Sequence, residues 1–243
     1  MINSHLDFDY ASAMANLEHA RKPGYLDLSY AEYQKGLVRH NQGRFDEAIA
    51  RIQGAIGMGL AQHKANALFH LADLFHAADR DEQALAAIEQ GQSCAGARWL
   101  HARLLRLRIL HSMGRLDQAR REFDDAWLQF GESAAASFPG VCAMLGWSDD
   151  ARMILRANES GWQDGQLATA APSFSGHYQL GEFDRAFVWL NRAIENREWG
   201  LLPYLRSERF YGNIRSDVRF GYVMHRLGEI EATGSPTKSI ATQ

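Results

Sequence analysis

The stretch HNQGRFDEA at residues 40–48 reads as the last turn of one helix, a tight turn and the first turn of the next. The pattern returns as HAADRDEQA (76–84), HSMGRLDQA (111–119) and YQLGEFDRA (178–186). Anchored on the closing alanine, the series also takes in FDYA ending at Ala11 and SDDA ending at Ala151. Ala11, Ala48, Ala84, Ala119, Ala151 and Ala186 are spaced by 37, 36, 35, 32 and 35 residues. A period of this length marks an array of stacked supersecondary units.

Each anchor opens a helix. Asp46, Asp81, Asp117, Asp149 and Asp184 fall in its first turn, where negative charge is favoured. Apolar or small residues recur about four and seven positions on, as in Ile52 and Ala55, Phe123 and Ala126, Leu190 and Ala193. That spacing makes one buried helix face. Gly43, Gly114, Gly146 and Gly181 supply the permissive turn, and Asp79 stands in that place in the second copy. Amphipathic first helices are predicted over roughly 29–42, 64–78, 98–113, 133–145 and 167–180. One such pair cannot bury its apolar face alone, so the pairs must stack.

These residues resemble the tetratricopeptide repeat (TPR) family. Residues 29–62 match through Gly36, Gly43, Phe45, Ala48 and Ala55. Residues 65–98 match through Leu71, Ala72, Phe75, Ala84 and Ile88, and 100–132 through Leu110, Gly114, Ala119, Phe123 and Ala126. The resemblance implies an all-α, right-handed α-solenoid of about five TPR-like helix-turn-helix units with helical caps. The expected layout is an N-terminal half-repeat over 1–28 and repeats at 29–62, 65–98, 100–132, 133–165 and 167–198. A C-terminal helical cap over 199–230 and a disordered tail over 231–243 complete it.

Three places depart from the family pattern. Leu107 replaces a small helix-crossing residue. AAASFPGVCAML (134–145) and ATAAPSFSGHYQL (168–180) carry Pro139 and Pro172, which predicts shortened or kinked first helices. The stretch WGLLPYLRSERFYGNIRSDVRFGYVMHRLG (199–228) breaks the repeat. Through Leu205, Phe210, the IRSD of 214–217, Arg219, Phe220 and Leu227 it resembles the segment that closes TPR arrays in bacterial winged-helix regulators and adenylate cyclases. Trp199, Leu202, Tyr204, Phe210, Tyr211, Phe220 and Met224 are expected to cover the last open apolar face. The FDYASAMANLEHAR helix either caps the array or continues a longer protein.

The 243-residue chain is 46% hydrophobic and 23% charged, with a net charge of −3 and a pI near 6.4. That balance argues against direct nucleic-acid binding. No stretch approaches a membrane span and the N-terminus has no apolar secretory core, so a cytoplasmic location is expected. Cys94 and Cys142 lack partners at metal or redox spacing. No nucleophile, phosphate-loop, dinucleotide or zinc-protease motif is present, so no catalytic residue, metal site or cofactor is expected. His70, Asp73 and His76 share helical spacing, but a structural or solvent-facing role outweighs metal binding there.

The resemblance places the end of each first helix on a concave groove. The residues expected to line it are Tyr30, Tyr33, Leu37, His40, Asn41, Asn66, Phe69, Asp73, His76, His101, Leu104, Arg108, His111 and Tyr178. His40, His76 and His111 hold one position in three successive repeats. They are read either as a peptide-binding ladder or as helix-end residues that favour the C-terminal dipole. Adjacent repeats lie ~10 Å apart, too far for three imidazoles to share one metal.

The expected function is a non-enzymatic scaffold for a protein or peptide partner, as an adaptor or the regulatory part of a bacterial signalling or transcription-control system. Self-association through a terminal helix such as 8–21 is compatible with it. The alternative is an enzyme or small-molecule binder with a pocket around Trp162, His177, Tyr178, Trp189 and Trp199.

Overall fold

A computed structural model of the chain describes residues 10–19, 27–95, 100–207 and 209–233. Regular structure among the described residues is entirely helical. The chain forms two compact units, one of residues 1–63 with 199–243 and one of residues 64–198. Phe8 and Asp9 of the first anchor, and the tail 234–243, lie outside the described residues.

The first unit holds α1 (Tyr10–His19), α2 (Leu28–Asn41) and α3 (Phe45–Gly57). The Asp27 carboxylate caps α2 by accepting from the Ser29 amide at 2.9 Å. Gly43, at φ +75°, turns the chain into α3, which buries Ala48, Ile49, Ile52 and Ala55. Gly36 lets α3 approach, because a Cβ there would meet Ile52. Lys35 is buried between α1 and α2, its Nζ 2.6 Å from Glu18 and 3.0 Å from Glu32. Glu32 also accepts from Arg51 at 2.7 Å, so one charged network ties three helices.

The C-terminal segment of this unit contains α12 (Leu202–Arg206) and α13 (Val218–Thr233). Leu202, Leu205, Ile214, Phe220, Val223 and Leu227 are buried in it. The Arg215 guanidinium donates to the carbonyls of Leu205 and Phe210 at 2.9 and 3.1 Å and to that of Ser207. Those bonds satisfy the backbone where the helical ladder is interrupted. Arg206 lies against the Gly43 turn and donates to the Gln42 carbonyl at 3.4 Å, so α12 packs on the first repeat.

In the second unit the pairs are α4 (Lys64–Ala77) with α5 (Asp81–Ala95), and α6 (Leu100–Ser112) with α7 (Leu116–Phe130). Next come α8 (Pro139–Met144) with α9 (Ser148–Gln163), and α10 (Ala171–Gln179) with α11 (Phe183–Glu195). The first helices meet in order, α4 on α6, α6 on α8 and α8 on α10, which is solenoid stacking within this unit. Asp79 takes the left-handed turn at φ 59° that glycine takes elsewhere, as its place in the repeat predicts. Leu107, at the place of the small crossing residue on α6, is fully buried.

The two proline-bearing first helices are shortened, as expected. Pro139 and Pro172 sit at the helix starts, where a missing amide costs nothing. A 3-10 stretch, Gly131–Ser137, precedes α8 and replaces the first part of that helix. The small residues have a packing reason. A Cβ on Gly140 would strike Ser175, and one on Gly176 would lie 2.9 Å from Pro139 Cβ and 3.0 Å from Leu155 Cδ2. The α8–α10 contact is thus a reciprocal approach of two glycines. Buried Asn158 stitches the corner, donating to the Ala136 carbonyl at 3.0 Å and to Ser173 Oγ at 3.1 Å.

This packing predicts opposite effects for one substitution type. Gly54→Ala, in open space on α3, should raise stability by up to ~1 kcal/mol through helix propensity. Gly176→Ala should lower it by roughly 1–3 kcal/mol, because overpacking outweighs the same propensity gain. Chemical denaturation of both variants checks the pair.

Candidate functional site

The helix-end histidines have distinct environments. His40 is buried at the end of α2, its ring edge-on to Phe45 at 6.3 Å. His76 is 1% exposed, and its Nδ1 lies 2.7 Å from Asp81 Oδ1 in the first turn of α5. Asp81 Oδ2 accepts from Ser112 Oγ at 2.7 Å, which links this turn to α6. His111 is half-buried at the end of α6. Burial lowers its pKa below the usual imidazole value, opposed by a hydrogen bond to the Met144 backbone.

A further histidine makes the same clasp as His76. His177 Nδ1 lies 2.8 Å from Glu182 Oε2 at the N-cap position of α11, and Glu182 also accepts from Arg152 Nε at 3.0 Å. Burial lowers the His177 pKa, with Glu182 opposing. Counting back from the alanine anchor selects Tyr178 instead. The signal that finds His177 is the five-residue step from histidine to acid, shared by His76–Asp81 and His177–Glu182.

The other residues of the expected groove separate into two groups. Tyr33, Leu37, Asn41, Phe69 and Asp73 are buried. Tyr33 stacks on His63 at 6.3 Å, and Phe69 fills the space that a side chain at Gly91 would need. Tyr30, Asn66, Leu104, Arg108 and Tyr178 are half-buried, and His101 is exposed. Tyr30 lies 4.6 Å from the His63 ring, while Tyr178 sits between Phe174 and Phe183 at 6.3 and 6.0 Å.

Within the second unit, ionisable groups converge at the α4–α6 contact. His101 Nε2 lies 3.0 Å from Asp73 Oδ2, with the Asp73 side chain 6% exposed and that of His101 57% exposed. The Asp73 charge raises the His101 pKa against burial and Arg108. His70, one turn before Asp73, is pushed down to about 4 by burial, with Asp73 opposing. Near neutral pH the cluster therefore holds a neutral His70 beside an Asp73–His101 pair. His76 is directed to Asp81 instead, and among the described residues no group of three His, Cys, Asp or Glu is placed to hold a metal.

A polar cleft of about 840 Å³ lies elsewhere in this unit, lined by Arg152, Arg156, Glu159, His177, Glu182 and Arg185 among others. Trp162 and Trp189 do not line it. Their rings meet at 5.5 Å, and the Arg192 guanidinium lies 4.4 Å from the Trp189 ring. The Trp199 side chain lies outside the described residues. No helix among the described residues is long and apolar enough to cross a membrane.

The pH dependence of stability separates the two cluster histidines. A folded-state pKa raised above the unfolded value, ~6.5, gives His101 a stabilising effect at low pH. That effect is lost as pH rises through the folded value. His101→Gln should therefore cost more at pH 5.5 than at pH 8, by about 0.5–1 kcal/mol for so exposed a partner. His70 has the opposite sign, because its depressed pKa makes stability fall as pH drops from ~6.5 toward 4. His70→Asn should flatten that loss. Denaturant midpoints at four pH values test both.

No family model matches the chain, and no curated protein is significantly similar to it. Among solved structures, a tetratricopeptide repeat protein from Parabacteroides merdae is similar over 91% of this chain and 87% of its own, with a TM-score of 0.50 and 16% identity. The likeness, together with the helix pairs and their stacking, shows that the chain has an all-α, TPR-like fold.

Proposed function

We propose that this protein is a non-enzymatic scaffold that binds a segment of a partner protein along the first helices of residues 64–198. The observation that carries the reading is the Asp73–His101 pair, which joins α4 to α6 and leaves the imidazole exposed. Leu104 and Arg108 follow His101 along α6 at one-turn steps, and both are partly accessible. A mixed surface of this kind, an apolar contact flanked by cations, suits a segment that carries carboxylates. Tyr33 and Phe69 lie in the core, so the apolar grip falls to Leu104 in this reading.

A TPR-like fold supports protein–protein interaction in general terms. The resemblance of residues 199–228 to the closing segment of bacterial regulators supports a cytoplasmic adaptor or regulatory role.

The test is capture from source lysate, with mass spectrometry, by the wild-type chain and by His101→Ala/Arg108→Ala checked for folding by circular dichroism. The reading predicts at least about tenfold less of a specific partner on the variant, a loss of ~1.4 kcal/mol. It also predicts stronger capture at pH 6 than at pH 8, because His101 gains its proton there. Equal capture by both proteins would refute it.

A further inference from the structure

A second feature of residues 64–198 lies between α7 and α9. Phe123 and Trp127 lie one turn apart on α7, and Phe123 meets Trp147, the N-cap residue of α9. The Phe123 ring lies 4.6 Å from Trp147 at 72° and 6.0 Å from Trp127 at 17°. Trp127 is held from behind by fully buried Phe138, with ring centroids 5.7 Å apart. Phe123, Trp127 and Trp147 line a cavity of about 350 Å³, within the range of small-ligand sites. Asp124 and Asp150 also line this cavity, and both are exposed. The buried Cys142 thiol faces it, its pKa pushed up to about 12 by burial and by Asp150, so that wall is uncharged.

Elsewhere the chain supplies its own cations to its aromatic rings. Arg80 lies 4.5 Å from the Phe75 ring, and Arg192 lies over Trp162 and Trp189. Among the described residues no lysine or arginine lies over Phe123, Trp127 or Trp147, and neither Asp124 nor Asp150 has a salt-bridge partner. The cavity therefore combines three aromatic rings, two carboxylates and no positive charge of its own.

We infer that this cavity is an aromatic cage for a quaternary ammonium group. Ring faces attract cations through their quadrupoles, most strongly at tryptophan, and more so where water is excluded. A trimethylammonium head has no N–H to satisfy, so it packs its methyls on Trp127, Trp147 and Phe123 without needing buried acceptors. A primary ammonium or a guanidinium must keep hydrogen-bond partners, and the inner walls offer only rings, a thiol and aliphatic groups. The carboxylates of Asp124 and Asp150 supply charge complementarity. The same chemistry reaches the site either as a free small molecule or as a trimethylated lysine.

The probes are choline, its neutral isostere 3,3-dimethylbutan-1-ol, ethanolamine and a short peptide carrying one trimethyl-lysine. Binding to the full chain is followed by ligand-observed NMR. Choline or the peptide should bind roughly tenfold more tightly than the isostere and ethanolamine, which corresponds to ~1.4 kcal/mol of cation–π attraction. Which of the two binds distinguishes a metabolite from a modified protein. Asp124→Asn/Asp150→Asn, at exposed positions, should weaken binding several-fold while leaving the melting temperature unchanged. Trp147→Leu should abolish it. Equal binding of choline and the isostere, or no binding by any ammonium probe, would overturn the inference.

Discussion

One small side chain per repeat sets the distance at which two helices cross, and the rest of the molecule follows from it. Ala48, Ala84, Ala119, Ala151 and Ala186 each begin a second helix and are each fully buried. A methyl group there lets the preceding helix pack closely, so larger residues four and seven positions on can fill the layer behind. Glycine extends the same device at Gly36 and Gly91, and at Gly140 and Gly176 it brings successive first helices together.

Close crossing leaves the helix ends as the polar seams of the fold. Acids in the first turns favour the positive end of each second helix, and two acids at these helix starts, Asp81 in a first turn and Glu182 at an N-cap, are also partners of buried histidines. His76 and His177 thus fasten one helix to the next within a repeat, with Ser112 and Arg152 extending the seam across repeats. In the readings proposed above, a partner segment meets His101, Leu104 and Arg108 on α6, and a small cation meets the aromatic cavity of α7 and α9 with its two carboxylates.

Much of the fold was legible because the repeat is periodic and its turn chemistry is local. The alanine spacing gave the helix pairs, and the left-handed turn at Asp79 followed from the glycines at its equivalents. The prolines predicted short helices, but the reason for the surrounding small residues, a mutual approach of α8 and α10, is a tertiary fact that no single segment carries. Side-chain direction was harder to read. A residue near the end of a first helix can face outward or fold back on the turn, and a shift of one position decides it, as with Tyr178 and His177. The packing of α12 on the first repeat and the meeting of Phe123 with Trp147 are likewise contacts between distant segments. In sequence each of those aromatics looks like an ordinary member of an amphipathic face.

The most direct test of this account is the stability of five single variants, Ala48→Val, Ala84→Val, Ala119→Val, Ala151→Val and Ala186→Val, measured by equilibrium denaturation. If these crossings set the fold, each variant loses roughly 1–3 kcal/mol, and none gains. Variants as stable as the wild type at most of the five positions would contradict it, because the helices would then not depend on the close approach that these alanines allow.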